Sequence, residues 1–249
     1  MLRLGLIGGT GLNQWGEDLT SHSINGDYGD CSAEFEEFEV SGLRVFFLPR
    51  HGKDHFIPPH AVNYRANIDA FRQLDVQGLV AVNAVGAISG RNTPGSLTVP
   101  DQLIDYTWGR DQSFSMSSND NLQHVDLSWP FDERLRLGLI RAAEIADVDM
   151  TPRGCVGVTQ GPRLETAAEI QRYKQDGCDM VGMTTMPEAA LAREAGLAYA
   201  SLCVNANWAA GIDTEPLTME TINATLKGAM VNARMVLDAF FEEISNDDG

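Results

Sequence analysis

Three glycines, Gly8, Gly9 and Gly11, bracket Thr10 at the end of an apolar run near the start of the chain. With no Cβ in the way, the amides of such a loop can approach an anion, and Thr10 adds a hydroxyl. The loop therefore reads as a phosphate cradle or, more plainly, as a tight turn. Arg50 and His51 follow a second apolar run. The guanidinium offers a planar fork for two phosphate oxygens and the imidazole a further donor, against the alternative of a surface ion pair and a satisfied histidine. Glu165 and Asn207 form a different kind of pair, because a carboxylate accepts from a ring N–H while a carboxamide both donates and accepts. Such a pair fits a 6-oxopurine, Glu165 accepting from N1–H and Asn207 bonding O6 and N7. Taken singly, Glu165 also reads as a first-turn acid and Asn207 as a loop side chain bonding its own backbone. Met183 and Thr184 precede Pro187 and Glu188, the proline and acid of a first helical turn. Thr184 then offers another hydroxyl to phosphate and Met183 an apolar contact for a sugar, or simply a core methionine.

These residues need strands that end where they begin. Residues 2–7 and 43–48 read as strands feeding the GGTG and PRHG loops, and residues 78–85 as a buried strand that ends near Asn83 and Ala84. Between them Tyr64, Ile68 and Phe71 fall on one helical face. The alternation continues with strand-like 155–159, a helix from Thr166, strand-like 180–183, a helix from Pro187 and strand-like 199–204. A last helix carries Leu226, Ala229, Ala233, Val236 and Phe240 at three- and four-residue spacing. The rhythm predicts an α/β fold, a single domain over 1–249 with a mixed, largely parallel β-sheet flanked by helices. Ligands of such sheets bind beyond the carboxyl ends of the strands, where all the residues above are placed. Residues 110–130 lack periodicity and read as a long loop, disordered or functional. The tail at 246–249 is expected to fray.

Composition narrows the partners. The net charge of −17 repels a phosphate backbone, which argues against nucleic acid. No apolar run reaches the roughly 18 residues of a membrane span, and the N-terminus lacks a secretory signal, so a cytoplasmic protein is expected. Cys31, Cys155, Cys178 and Cys203 are scattered, without a CxxC pair or histidines at ligand spacing, which predicts reduced thiols and no metal. GGTG lacks the G-x-G-x-x-G spacing and a following acidic residue, so a nicotinamide oxidoreductase is the weaker reading of that loop.

The stretches LGLIGGTGL, PRHGKDHFIPPHAVNYRANI, GPRLETAAE, GMTTMPEAALAREAGLAYAS and VNANWAAG, taken together and in order, resemble the purine nucleoside phosphorylase and methylthioadenosine phosphorylase family from Leu4 to the last helix. The resemblance implies a homotrimer with active sites near subunit interfaces, phosphate as cosubstrate, and no metal or organic cofactor. By position, Thr10, Arg50, His51, the backbone of Ala84 and Thr184 match the family's phosphate contacts, and Asn83 stands where a hydroxyl residue often lies. Met183 matches the residue against the ribose. Leu164 replaces an aromatic that packs on the base, and Glu165 and Asn207 match the base-reading pair of the 6-oxopurine branch. The adenine branch has a small hydroxyl residue and an aspartate at those two positions. His60 and His124 fall where they approach the 5′ end of the sugar, His124 from a neighbouring subunit, or else are exposed loop histidines. The segment VNYRANI and the short chain resemble the methylthioadenosine branch. That body with a 6-oxopurine reader implies phosphorolysis of S-methyl-5′-thioinosine to hypoxanthine and 5-methylthioribose 1-phosphate. Inosine or guanosine, methylthioadenosine, and a non-catalytic phosphate-binding module are the alternatives.

Overall fold

The computed structural model describes the chain except for residues 18, 116–121, 215–217 and 248–249. Its elements run β1 (Arg3–Gly8), β2 (Thr20–His22), β3 (Phe35–Val40), β4 (Leu43–Pro49), α1 (Tyr64–Gln73), β5 (Gly78–Ala87), β6 (Leu97–Thr98), β7 (Gln102–Asp105), α2 (Glu133–Ile145), β8 (Met150–Thr151), β9 (Cys155–Val158), α3 (Ala167–Gln175), β10 (Met180–Gly182), α4 (Thr185–Glu194), β11 (Ala198–Trp208) and α5 (Met219–Asp247).

The pleat of β5 sorts its side chains between two cores. Leu79 and Ala81 join Ile68 and Phe71 of α1 and Ala189 and Leu191 of α4 on one face of the sheet. Val80 and Val82 join Leu135 and Leu139 of α2 and Ala233, Val236 and Phe240 of α5 on the other. A strand covered on both faces must be apolar at every position, as residues 79–82 are. The expected faces of α1 and α5 are the buried ones. The result is the expected α/β architecture, a mixed sheet with helices on both sides. Among the described residues no helix is long and apolar enough to cross a membrane.

The pairing around β5 makes the site. β11 runs parallel to it along its whole length, and β1 runs parallel to its first half, from Leu4 against Gly78 to Ile7 against Ala81. β10 then takes over at the far end, antiparallel, with Val181 against Gly86 and Met180 against Ala87. Residues 82–85 of β5 therefore have no strand partner on that side. β1 and β10 enter this gap from opposite directions, and the chain leaving each delivers its loop there. β4 pairs with β1 up to Pro49 against Gly8 and ends at the same level.

The periodic elements lie close to where the sequence predicts them. The strands β2 and β3, which make an antiparallel ribbon with the predicted β4, and the helix α2 are additions, as is the reversed direction of β10. Part of the predicted loop, 116–121, lies outside the described residues, and the described remainder of 110–130 contains no helix or strand. Its start is anchored: Ser113 Oγ and the Phe114 amide donate to the Glu194 carboxylate at 3.0 to 3.2 Å. α5 extends to Asp247; of the tail expected to fray, 248 and 249 lie outside the described residues.

Candidate active site

A cavity of about 360 Å³ opens at the gap in the sheet, a size ordinary for a small-molecule site. Thr10 follows β1, Arg50 and His51 follow β4, Ala84 belongs to β5, and Met183 and Thr184 follow β10; all line it. The glycines above the floor are needed for closeness. A Cβ on Gly9 would lie 2.4 Å from the Val82 carbonyl oxygen and 2.8 Å from Nη1 of Arg50, while Gly11 takes a φ of +89°.

Arg50 is fully buried, so its charge requires a partner. That partner is Glu188, 2% exposed in the first turn of α4. Nε and Nη2 donate to its two carboxylate oxygens, Nη2 at 3.0 Å, and Tyr199 Oη donates to it at 2.9 Å. The fork expected to face phosphate thus faces Glu188. Nη1 donates to Val82 O at 3.2 Å, which leaves two of the five guanidinium N–H groups for an anion. Despite its burial, the Glu188 charge keeps the guanidinium pKa above its ordinary value.

His51 also differs from expectation. Its Nδ1 lies 2.7 Å from the Ile57 carbonyl, which can only accept, so Nδ1 carries the proton and Nε2 of the neutral ring is an acceptor. Burial, together with the Arg50 charge, pushes the imidazole down to about 4. At neutral pH the free Nε2 of His51 can therefore accept from a hydroxyl but has no proton to donate to an oxyanion.

Asn83 is 2% exposed and does not line the cavity; it supports Thr184 from beneath. Thr184 Oγ1 donates to Asn83 Oδ1 at 2.8 Å, and Asn83 Nδ2 donates to Ser201 Oγ at 2.7 Å. The expected place among the anion contacts is corrected accordingly: β5 pairs with β11 there, and the pleat turns Asn83 toward Ser201 in the sheet interior.

Glu165 and Asn207 line the same cavity, with Leu164 and Met183. Helix α3 begins with Thr166 as N-cap and Glu169 as the reciprocal acid of a capping box. The first-turn acid is therefore Glu169, and Glu165 stands one residue outside the helix, available to the cavity. Thr159 Oγ1 donates to Glu165 Oε1 at 2.6 Å, which orients the carboxylate. Partial burial raises the Glu165 pKa, an effect opposed by that hydroxyl. Asn207 is aimed by a register shift in β11 between Asn205 and Asn207, the local re-aiming that a bulge provides. Its Nδ2 donates to the Trp208 carbonyl at 2.7 Å, so the self-bonding reading holds in part, and one N–H and Oδ1 are left toward the cavity.

His60 sits exposed in the turn at Pro59–Ala61, and His124 is exposed in the long loop; neither lines the cavity in this chain. Neighbouring residues do. His55 and Phe56 form the rim, the His55 ring lies 4.7 Å from that of His51, and Phe56 is 84% exposed. The HGKDHF stretch carried that signal, a second histidine four residues after the first. Ile222 and Leu226 of α5 close the cavity from the other side. Among the described residues no group of three or more His, Cys, Asp or Glu side chains is placed to hold a metal.

The family model of the phosphorylase superfamily matches residues 3–242, with the cavity and every strand end that builds it inside the match. The chain belongs to this superfamily. Among individual relatives of this phosphorylase, a probable S-methyl-5′-thioinosine phosphorylase of Xanthomonas campestris pv. campestris is 46% identical over 231 residues, 92% of each chain. A 6-oxopurine nucleoside phosphorylase of Pyrococcus furiosus is 39% identical over 88% of this chain and 84% of its own. In structure, the methylthioadenosine phosphorylase of Schistosoma mansoni in complex with adenine superposes with a TM-score of 0.94 at 31% identity, over 99% of this chain and 93% of that one.

Proposed function

We propose that this phosphorylase splits S-methyl-5′-thioinosine with inorganic phosphate, releasing hypoxanthine and 5-methylthioribose 1-phosphate. The observation that carries the reading is one cavity with a cationic, hydroxyl-rich floor and, on its wall, the pair Glu165 and Asn207. The names of relatives at 46% to 49% identity agree with it.

Cleavage of the glycosidic bond leaves positive charge on the ribosyl carbon and sends the electron pair to the purine. Phosphate on the floor stabilises the first and then captures it; no side chain acts as nucleophile. Thr10, the Ala84 amide and the two remaining N–H groups of Arg50 hold its oxygens, and His51 Nε2 accepts from its O–H or from a sugar hydroxyl. The Asn83 amide, lying between two hydroxyls, is satisfied in either orientation. Turned over, it donates to Thr184 and accepts from Ser201, which releases the Thr184 proton for the anion. Met183 packs on the ribose and Leu164 on the base. Glu165 accepts from N1–H, and the free N–H of Asn207 meets the O6 and N7 edge where charge develops. No metal or organic cofactor takes part. A homotrimer in the cytoplasm completes the proposal, and light scattering in solution checks the trimer.

A substrate panel tests the reading. Phosphate-dependent release of hypoxanthine is expected to be fastest from methylthioinosine and slower from inosine, with methylthioadenosine poorest. Efficient cleavage of methylthioadenosine means that Glu165 and Asn207 are misassigned, and absence of phosphate-dependent release with every nucleoside returns the protein to the binding modules. The pH profile is a second check. N1–H requires an ionised Glu165, so kcat/KM for methylthioinosine rises with pH along a limb displaced above the ordinary carboxylate range. Glu165→Gln removes that limb; a limb that survives the substitution contradicts the role. In the ligand-free protein the same raised pKa withdraws stability as pH climbs through it, so Glu165→Gln is the more stable form above that point.

A further inference from the structure

The β9 and β10 ladder ends with Gly182 against Val158, and its last bond is the Thr159 amide to Gly182 O at 2.8 Å. Beyond it the chains part, one toward Glu165 and the other into the gap with Met183 and Thr184. Arg110, from the loop after β7, sits in the fork. Its Nε donates to Gln160 Oε1 at 3.2 Å, and Nη1 donates to Met183 O at 2.8 Å and Met186 O at 2.6 Å. Nη2 donates to Gln160 O at 2.8 Å and Thr159 O at 3.2 Å. The five N–H groups thus meet six acceptors, four of them backbone carbonyls, two from each loop, with Gln160 Oε1 and, as the longest contact at 3.5 Å from Nη1, Tyr64 Oη. The guanidinium also lies over the Tyr64 ring, 5.5 Å from its centroid.

We infer that Arg110 is a positioning residue that clamps the Glu165 loop to the Met183 and Thr184 loop, and so sets the span between base reader and phosphate floor. It does not line the cavity, and its donors are all engaged within the protein, so it acts through the loops and not on the ligand. A lysine ammonium, a point charge with three donors, cannot span the same carbonyls. The kinetic consequence rests on the phosphorolysis reading above; the structural consequence does not.

The test uses the full chain with Arg110→Ala and Arg110→Lys. Amide hydrogen exchange is expected to speed up in 159–166 and 183–186 together in both variants. In phosphorolysis, kcat falls about 10²-fold while KM moves far less, the pattern of misplaced rather than lost groups. Added guanidinium ion restores part of kcat to Arg110→Ala and gives no gain to wild type or to Arg72→Ala, whose side chain pairs with Asp69 on α1. Wild-type exchange in the two segments overturns the clamp, as does wild-type kcat or a loss that guanidinium leaves untouched. Should Arg110→Ala not fold, Arg110→Lys decides by the same exchange and kcat readouts. A wild-type protein inactive on the whole panel sinks the phosphorolysis reading and leaves the exchange test standing.

Discussion

Glu188→Ala is expected to lower folding stability by about 3 to 5 kcal/mol, because it strands the Arg50 guanidinium as a buried charge without its counterion. The pair is well suited to show the full effect: both residues are at most 2% exposed, both carboxylate oxygens accept from the fork, and Tyr199 donates to the same carboxylate. Water cannot take over any of these bonds without opening the core. The measurement is urea unfolding of the ligand-free protein, where the midpoint falls at unchanged slope. Glu188→Gln, which keeps the shape and one acceptor oxygen but not the charge, falls between the two. Phosphate is expected to return part of the loss in both variants, since an anion on the floor supplies the missing negative charge and binds only the folded state. An unfolding free energy within about 1 kcal/mol of wild type shows that Arg50 is not held as a buried ion pair, since exposed pairs contribute no more than that.

The second large effect falls on turnover. In the proposed reaction Asn207→Ala removes a donor from the wall where negative charge develops on the leaving base, and loss of such a donor costs about 10² to 10³ in kcat. The fold tolerates it: the bond to the Trp208 carbonyl is a single neutral contact to the next residue, worth about 1 kcal/mol net. Single-turnover release of hypoxanthine separates this from slowed product release. A stable Asn207→Ala variant with wild-type turnover removes Asn207 from the chemistry.

The class of fold, the strand ends and most of the polar residues that line the cavity were legible in the sequence, because each rests on local signals. An apolar run followed by glycines or by Arg-His marks a strand feeding a loop whatever the rest of the chain does, and the spacing of Ile68 and Phe71 or of Ala233, Val236 and Phe240 marks a buried helical face. The alternatives for Glu165 were also separable locally, since Thr166 and Glu169 have the spacing of a capping box and leave Glu165 outside the helix.

Tertiary structure decided what those residues do. Arg50 meets Glu188 across 138 positions of sequence, and no local pattern announces which carboxylate will claim the fork. The Ile57 carbonyl makes His51 an acceptor at Nε2, Asn83 becomes the support of Thr184 by pairing beside Ser201, and Arg110 draws two loops together from a third. The direction of β10 has the widest consequence. A three-residue strand reads the same parallel or antiparallel, because hydrophobic alternation carries no sign; only its pairing with Gly86 and Ala87 turns Met183 and Thr184 back into the gap where β1 ends. Sequence by itself determined which chemical groups stand at the strand ends. Packing of distant segments determined which of their donors and acceptors remain free to meet a ligand.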